Sequence, residues 1–169
     1  NLSAETCIKL SKIENIIGVK EASGNLDQMT KIIAGARKGV LLWSGDDGLT
    51  LPILSIGGYG VISVISHLVG KQIKEMINDV VEGKLAEAAK IHQCLLPLTN
   101  AMFLVANPMP VKYAVNCVGF NVGKPRLPLT EPDEKTAAII RDTIKDYRID
   151  LPVPAAAGAK KVTRASCRK

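Results

Sequence analysis

Three short apolar runs, Ile16-Ile17-Gly18-Val19, Val40-Leu41-Leu42-Trp43 and Val61-Ile62-Ser63-Val64-Ile65, are spaced along the first part of the chain by stretches of helical periodicity. Runs of this length without polar alternation read as strands covered on both faces, the pattern of a parallel sheet flanked by helices. Between the first two runs, Leu26, Met29, Ile32, Ile33 and Ala36 mark one face of a helix that ends near Gly39. Between the second and third, Leu49 to Ile56 reads as a short helix stopped by Gly57-Gly58. A helix also precedes the first run, with Ala4, Cys7, Ile8 and Ile13 at roughly helical spacing. After Gly70, Ile73, Met76, Ile77, Val80 and Val81 recur at i, i+3, i+4, i+7 and i+8, which predicts an amphipathic helix. The alternation defines an α/β chain.

From Lys84 the pattern changes. No further strand-like run follows, and helical patterns cover about 84–105, 110–118 and 132–148. Pro97 is expected to kink the first of these, and Pro110 suits the first helical position of the second. The chain therefore divides into an α/β part at 1–83, a helical extension at 84–150 and a basic tail at 151–169. Three strand-helix units are few for a doubly wound sheet, or for a (β/α)8 barrel of roughly 250 residues. A three-stranded parallel sheet has two open edges, so the expectation is association through those edges or a place in a larger barrel.

Composition narrows the partners. The 169 residues carry 22 Lys plus Arg against 16 Asp plus Glu, a net charge of +6, and five of those positive charges lie in the last nineteen residues without an acid among them. Residues 1–150 are thus nearly neutral. The tail lacks an apolar period and an aromatic residue for base stacking, so it reads as flexible and solvated, and no nucleic-acid partner is expected. Hydrophobic residues at 47% and charged residues at 22% exclude a wholly disordered or collagenous chain. No apolar run reaches the roughly 18 residues that a membrane helix needs, so no membrane partner is expected. Cys7, Cys94, Cys117 and Cys167 form no CxxC pair, which indicates neither a zinc site nor a disulfide framework; a reduced, cytoplasmic setting is the simplest reading.

In parallel α/β architectures ligands lie beyond the C-terminal ends of the strands. The residues there are Lys20-Glu21, Ser44-Gly45-Asp46-Asp47 and Ser63 to His67. Lys20 is open to two readings, a Schiff-base amine or a solvated lysine beside Glu21. A free lysine with a pKa of about 10.4 is neutral in only about one part in 2,500 at pH 7, so an amine nucleophile needs a site that destabilises its cation. Gly45 and Asp46 suit either substrate binding through the glycine amide and the carboxylate, or a strand-to-helix turn capped by the aspartate. Gly57-Gly58-Tyr59-Gly60 precedes a strand and lacks the GxGxxG order, so it reads as a helix stop and tight turn. His67 and His92 have no metal-compatible partner in the sequence, and no metal site is expected.

Five separated segments together resemble one family: Ile16 to Asn25, Ser44 to Asp47, Gly60 to Val64, Asn107-Pro108-Met109-Pro110-Val111-Lys112, and Arg126 to Thr130. In order and spacing they are similar to the second half of the dihydrodipicolinate synthase (4-hydroxy-tetrahydrodipicolinate synthase) family, over about residues 2–148. The resemblance implies the C-terminal part of a (β/α)8 barrel, about strands six to eight, followed by a helical extension. It implies a pyruvate-dependent class I aldolase-type lyase of diaminopimelate and lysine biosynthesis, needing no metal or organic cofactor. Lys20 matches the Schiff-base lysine, Ile62 the position whose backbone carbonyl lies against pyruvate, and Gly45 and Asp46 the substrate-side turn. The implied partners are pyruvate, aspartate semialdehyde and further copies of the chain in a homo-oligomer. The family's paired threonines, relay tyrosine and carboxylate-binding arginine belong to its first half, so the 169-residue chain by itself is expected to be nearly inactive. Two alternatives stand beside this one: a related lyase of the N-acetylneuraminate lyase family, and a non-catalytic half-barrel interaction module.

Overall fold

The computed structural model of the chain describes residues 1–150; the tail expected at 151–169 lies outside the described residues. Two compact units are present, Asn1–Ser63 with Met76–Ala89, and Val64–Glu75 with the chain from Lys90.

In the first unit, helix α1 (Ala4–Leu10) leads to strand β1 (Gly18–Glu21), helix α2 (Leu26–Gly35), strand β2 (Leu41–Ser44), a 3₁₀ turn (Asp47–Leu49), helix α3 (Thr50–Ser55) and strand β3 (Gly60–Val61). The helix starts are set by short polar caps: Ser3 Oγ accepts from the Thr6 amide, and Asn25 Oδ1 from the Gln28 amide at 3.0 Å. The three strands are parallel in the order β1-β2-β3. One sheet face is closed by a core of Ala4, Cys7, Met29, Ile32, Leu42 and Ile53, with Val19 packed against it. Glycine lets α1 and α2 approach closely, because a Cβ on Gly35 would stand 2.5 Å from Ile8 Cδ1. Arg37 fastens the turn that follows α1. Its Nε donates to the Ser11 carbonyl at 2.9 Å, and its amide to the buried Ser11 Oγ at 3.0 Å.

The strands differ in position from the apolar runs. Pairing with Leu41 begins at Gly18, so Ile16 and Ile17 precede β1, and Ile17 is 70% exposed. The third strand ends at Val61 instead of running to Ile65.

Helix α4 (Ser66–Val81) runs from the second unit into the first, and α5 (Leu85–Met102) from the first into the second. Regular helix in α4 is interrupted at Val69, whose φ of −134° and ψ of 39° are not helical, in keeping with the periodicity that starts after Gly70. In the second unit, α6 (Met109–Cys117) packs against α7 (Glu134–Ile144), burying Val111, Ala114, Ala137 and Ile140. Pro110 occupies the second position of α6, where its missing amide hydrogen has no partner to lose. Pro97 lies inside α5. The Tyr147 hydroxyl donates to the Cys94 carbonyl at 2.7 Å, and the Asp150 amide to the Leu68 carbonyl at 2.9 Å. Cys7 and Cys117 are free thiols.

Candidate active site

Every predicted site residue belongs to the first unit, at the C-terminal ends of its three strands. Lys20 is the third residue of β1 rather than the residue after it, and its register partner is Trp43, which in turn pairs with Gly60. Paired residues of parallel strands share a face, and alternate residues return to it. Gly18, Lys20, Trp43 and Gly60 therefore line one face, opposite to Val19 and Leu42 with their helices.

The glycines on that face make room for large neighbours. A Cβ on Gly18 would stand 2.0 Å from the Trp43 ring and 2.6 Å from the Leu41 carbonyl. On Gly45 it would stand 2.8 Å from Ala22 Cβ and 3.0 Å from Lys20 Cε. The Gly45 amide donates to the Glu21 carbonyl at 2.7 Å, extending the β1-β2 ladder by one bond. Lys20 itself is exposed.

Glu21 points the other way and is buried. Its Oε1 accepts from Gln28 Nε2 and its Oε2 from the Ser23 amide, both at 3.1 Å. The carboxylate beside Lys20 in sequence is thus committed to the start of α2.

Past β2, Asp46 caps the 3₁₀ turn, its Oδ1 accepting from the Gly48 amide at 2.8 Å. The buried Ser44 hydroxyl donates to the Asp46 carbonyl at 2.6 Å. Past β3, the Ile62 amide donates to the Ser44 carbonyl at 2.8 Å, while the residue is 47% exposed. Lys20 and Gly45 are thus in direct contact, and Ile62 is tied to the residue before Gly45. Sequence reasoning grouped Asp47 with the turn and Ser63 with the third strand, and missed that they meet: the Ser63 hydroxyl donates to Asp47 Oδ1, and Asp47 is buried. Their shared position just past two adjacent strand ends was the signal that could have linked them.

No group of three potential metal ligands occurs among the described residues. His92 is half-buried, and burial pushes its imidazole below the ordinary histidine pKa.

A sequence model of the dihydrodipicolinate synthetase family matches residues 1–147. The chain belongs to the dihydrodipicolinate synthetase family. Within it, the chain is 58% identical to the 4-hydroxy-tetrahydrodipicolinate synthase of Dehalococcoides mccartyi over 153 residues, covering 90% of this chain and 52% of that one. It is 54% identical to the synthase of Listeria welshimeri over 131 residues, covering 78% and 45%. The chain spans about half the length of the curated relatives it matches. Among solved structures of the family, dihydrodipicolinate synthase from Cyanidioschyzon merolae, crystallised with lysine bound, superimposes with a TM-score of 0.83 at 44% identity, covering 85% of this chain and 49% of that one. The Thermotoga maritima enzyme gives 0.83 at 37% identity, covering 86% and 51%.

Proposed function

We propose that the chain carries the Schiff-base part of a pyruvate-dependent lyase that condenses pyruvate with L-aspartate 4-semialdehyde. On this reading β1, β2 and β3 are about strands six to eight of a (β/α)8 barrel, residues 1–83 belong to the barrel, and residues 84–150 form its helical extension. The observation that carries the reading is the seating of Lys20. Its stem lies on Gly45 at the C-terminal mouth of a parallel sheet, where a barrel holds its substrates.

The chemistry follows from the amine. Neutral Lys20 Nζ adds to the keto carbon of pyruvate, and loss of water gives an imine. The protonated imine takes up the electron pair left when a methyl proton departs, and the resulting enamine carbon attacks the aldehyde. Because the imine is its own electron sink, this sequence calls for no metal or organic cofactor. Gly45 leaves space for the lysine stem, and the Ile62 carbonyl and the Gly45-Asp46 turn border the pyruvate. A homo-oligomer is part of the proposal. No helix of the described residues is long and apolar enough to cross a membrane.

The test joins this chain behind the N-terminal half of the Dehalococcoides mccartyi relative, adds pyruvate and reduces with borohydride. Mass is expected on the peptide containing Lys20 and is absent from Lys20→Arg, which keeps the cation but offers no usable nucleophile. Labelling at a different lysine, or none, would overturn the reading.

A further inference from the structure

Glu21 is a carboxylate with 7% of its surface exposed, next in sequence to Lys20 but on the opposite face of β1, and the catalytic scheme gives it no task. It faces the core side of the sheet: burial first, and then the charge of Glu21, push the Cys7 thiol above the ordinary cysteine pKa. A buried carboxylate is costly unless hydrogen bonds compensate it. Two donors do so here, the Ser23 amide on Oε2 and Gln28 Nε2 on Oε1, each at 3.1 Å.

Those bonds hold more than the start of α2. The bond to Ser23 spans Ala22, a local side-chain to backbone bridge that fixes the turn at the end of β1. The peptide before Ala22 is held as well, because the Glu21 carbonyl accepts from the Gly45 amide at 2.7 Å. Both peptides flanking Ala22 are therefore tied, one to Gly45 and one to the buried carboxylate. Ala22 and Lys20 meet at Gly45, where an added Cβ would stand 2.8 Å from Ala22 Cβ and 3.0 Å from Lys20 Cε. The lysine stem thus runs in a lane with Gly45 as its floor and Ala22 beside it, and Glu21 sets where Ala22 stands.

We infer that Glu21 is a positioning residue, holding the Ala22–Ser23 peptide so that the Lys20 stem stays aimed for imine formation; this rests on the lyase reading. A displaced stem slows attack by the amine without touching the groups that bind pyruvate.

The experiment measures borohydride labelling of Lys20 against pyruvate concentration in the fused protein described above. Glu21→Ala is expected to lower the labelling rate at saturating pyruvate about tenfold or more, with half-saturation kept within about twofold, since a misplacement on the order of 1 Å at a reacting group costs about 10²-fold. Glu21→Gln keeps an acceptor for the Ser23 amide and pairs with Gln28 once that side-chain amide turns over, so its rate should stay within about threefold of the original. Glu21→Ala combined with Gly45→Ala should lose less than the product of the single losses, because both displace one stem. If Glu21→Ala does not fold, Glu21→Asp, one methylene too short to reach both donors, carries the comparison with Glu21→Gln. Unchanged saturating rates in the folded Ala or Asp variant, a loss confined to half-saturation, a Glu21→Gln loss as large as that of Glu21→Ala, or single losses that multiply in the double variant would each overturn the inference while leaving Lys20 in its role. Absence of labelling in the unaltered protein would overturn the lyase reading and this inference with it.

Discussion

Gly45 forms the seat of the Lys20 side chain: a Cβ there would lie 3.0 Å from Lys20 Cε and 3.2 Å from Cγ. The same atom would lie 2.8 Å from Ala22 Cβ, which is held rigidly by its own backbone. In Gly45→Ala the flexible lysine stem turns aside, while the Ala22 contact is relieved only by a shift of the strand ends that carry both residues. A displacement on the order of 1 Å at a reacting group costs about 10²-fold in rate. Pyruvate-dependent labelling of Lys20 in the fused protein should fall by that order, with circular dichroism unchanged.

Ile53 carries much of the first unit's core. It is fully buried, and a Cβ on Gly58 would come within 2.4 Å of its Cγ2. Ile53→Ala is expected to destabilise folding by about 2–5 kcal/mol, the usual range for such a truncation. The urea midpoint should shift down at unchanged slope.

His92 links stability to pH. Its pKa is lowered in the folded chain by burial, so near pH 6 the unfolded chain binds a proton that the folded one refuses. Its contribution is complete above the unfolded histidine pKa of about 6.5 and is lost as pH falls from there toward the lowered folded value. His92→Gln should flatten the dependence of the melting temperature on pH between about 7.5 and 5.

The 169-residue chain on its own should show little synthase activity with pyruvate and aspartate semialdehyde. The three parallel strands among the described residues cannot by themselves close a barrel. The general acid-base groups that the resemblance assigns to the family's first half are worth about 10²- to 10⁴-fold more. Mixing with a separately produced N-terminal half of a family relative should raise turnover; a rate for the lone chain equal to that of a complete family enzyme would refute the expectation.

The periodicity of Leu26, Met29 and Ile32 and the stops at Gly39 and Gly57 made the helices legible, because each side chain reports its own burial. Strand limits were less legible, since they depend on pairing. Ile16 and Ile17 look like strand residues, yet the ladder starts where Gly18 meets Leu41. Ser63-Val64-Ile65 looks like strand too, but the chain leaves the sheet once the Ser63 hydroxyl is taken by Asp47, and the Leu68 and Val69 amides fold back onto the Ile65 carbonyl at 2.9 and 3.0 Å. For the candidate site, position after apolar runs is what proposes Lys20, Gly45 and Asp46. The burial of Asp47 was not legible, because two adjacent aspartates at a turn look alike until one is seen to cap it and the other to face inward.

Trp43 is the chain's single tryptophan, and it lies across the ladder from Lys20, beside Gly18, with Tyr59 set edge-on at a centroid distance of 5.5 Å. Adjacent strands are about 4.8 Å apart, so the backbone of Trp43 flanks that of Lys20 on the same sheet face. Near-ultraviolet excitation of this chain above the tyrosine band therefore lights one residue only, on the face that carries Lys20. Its emission gives an optical signal from that face without any label being attached.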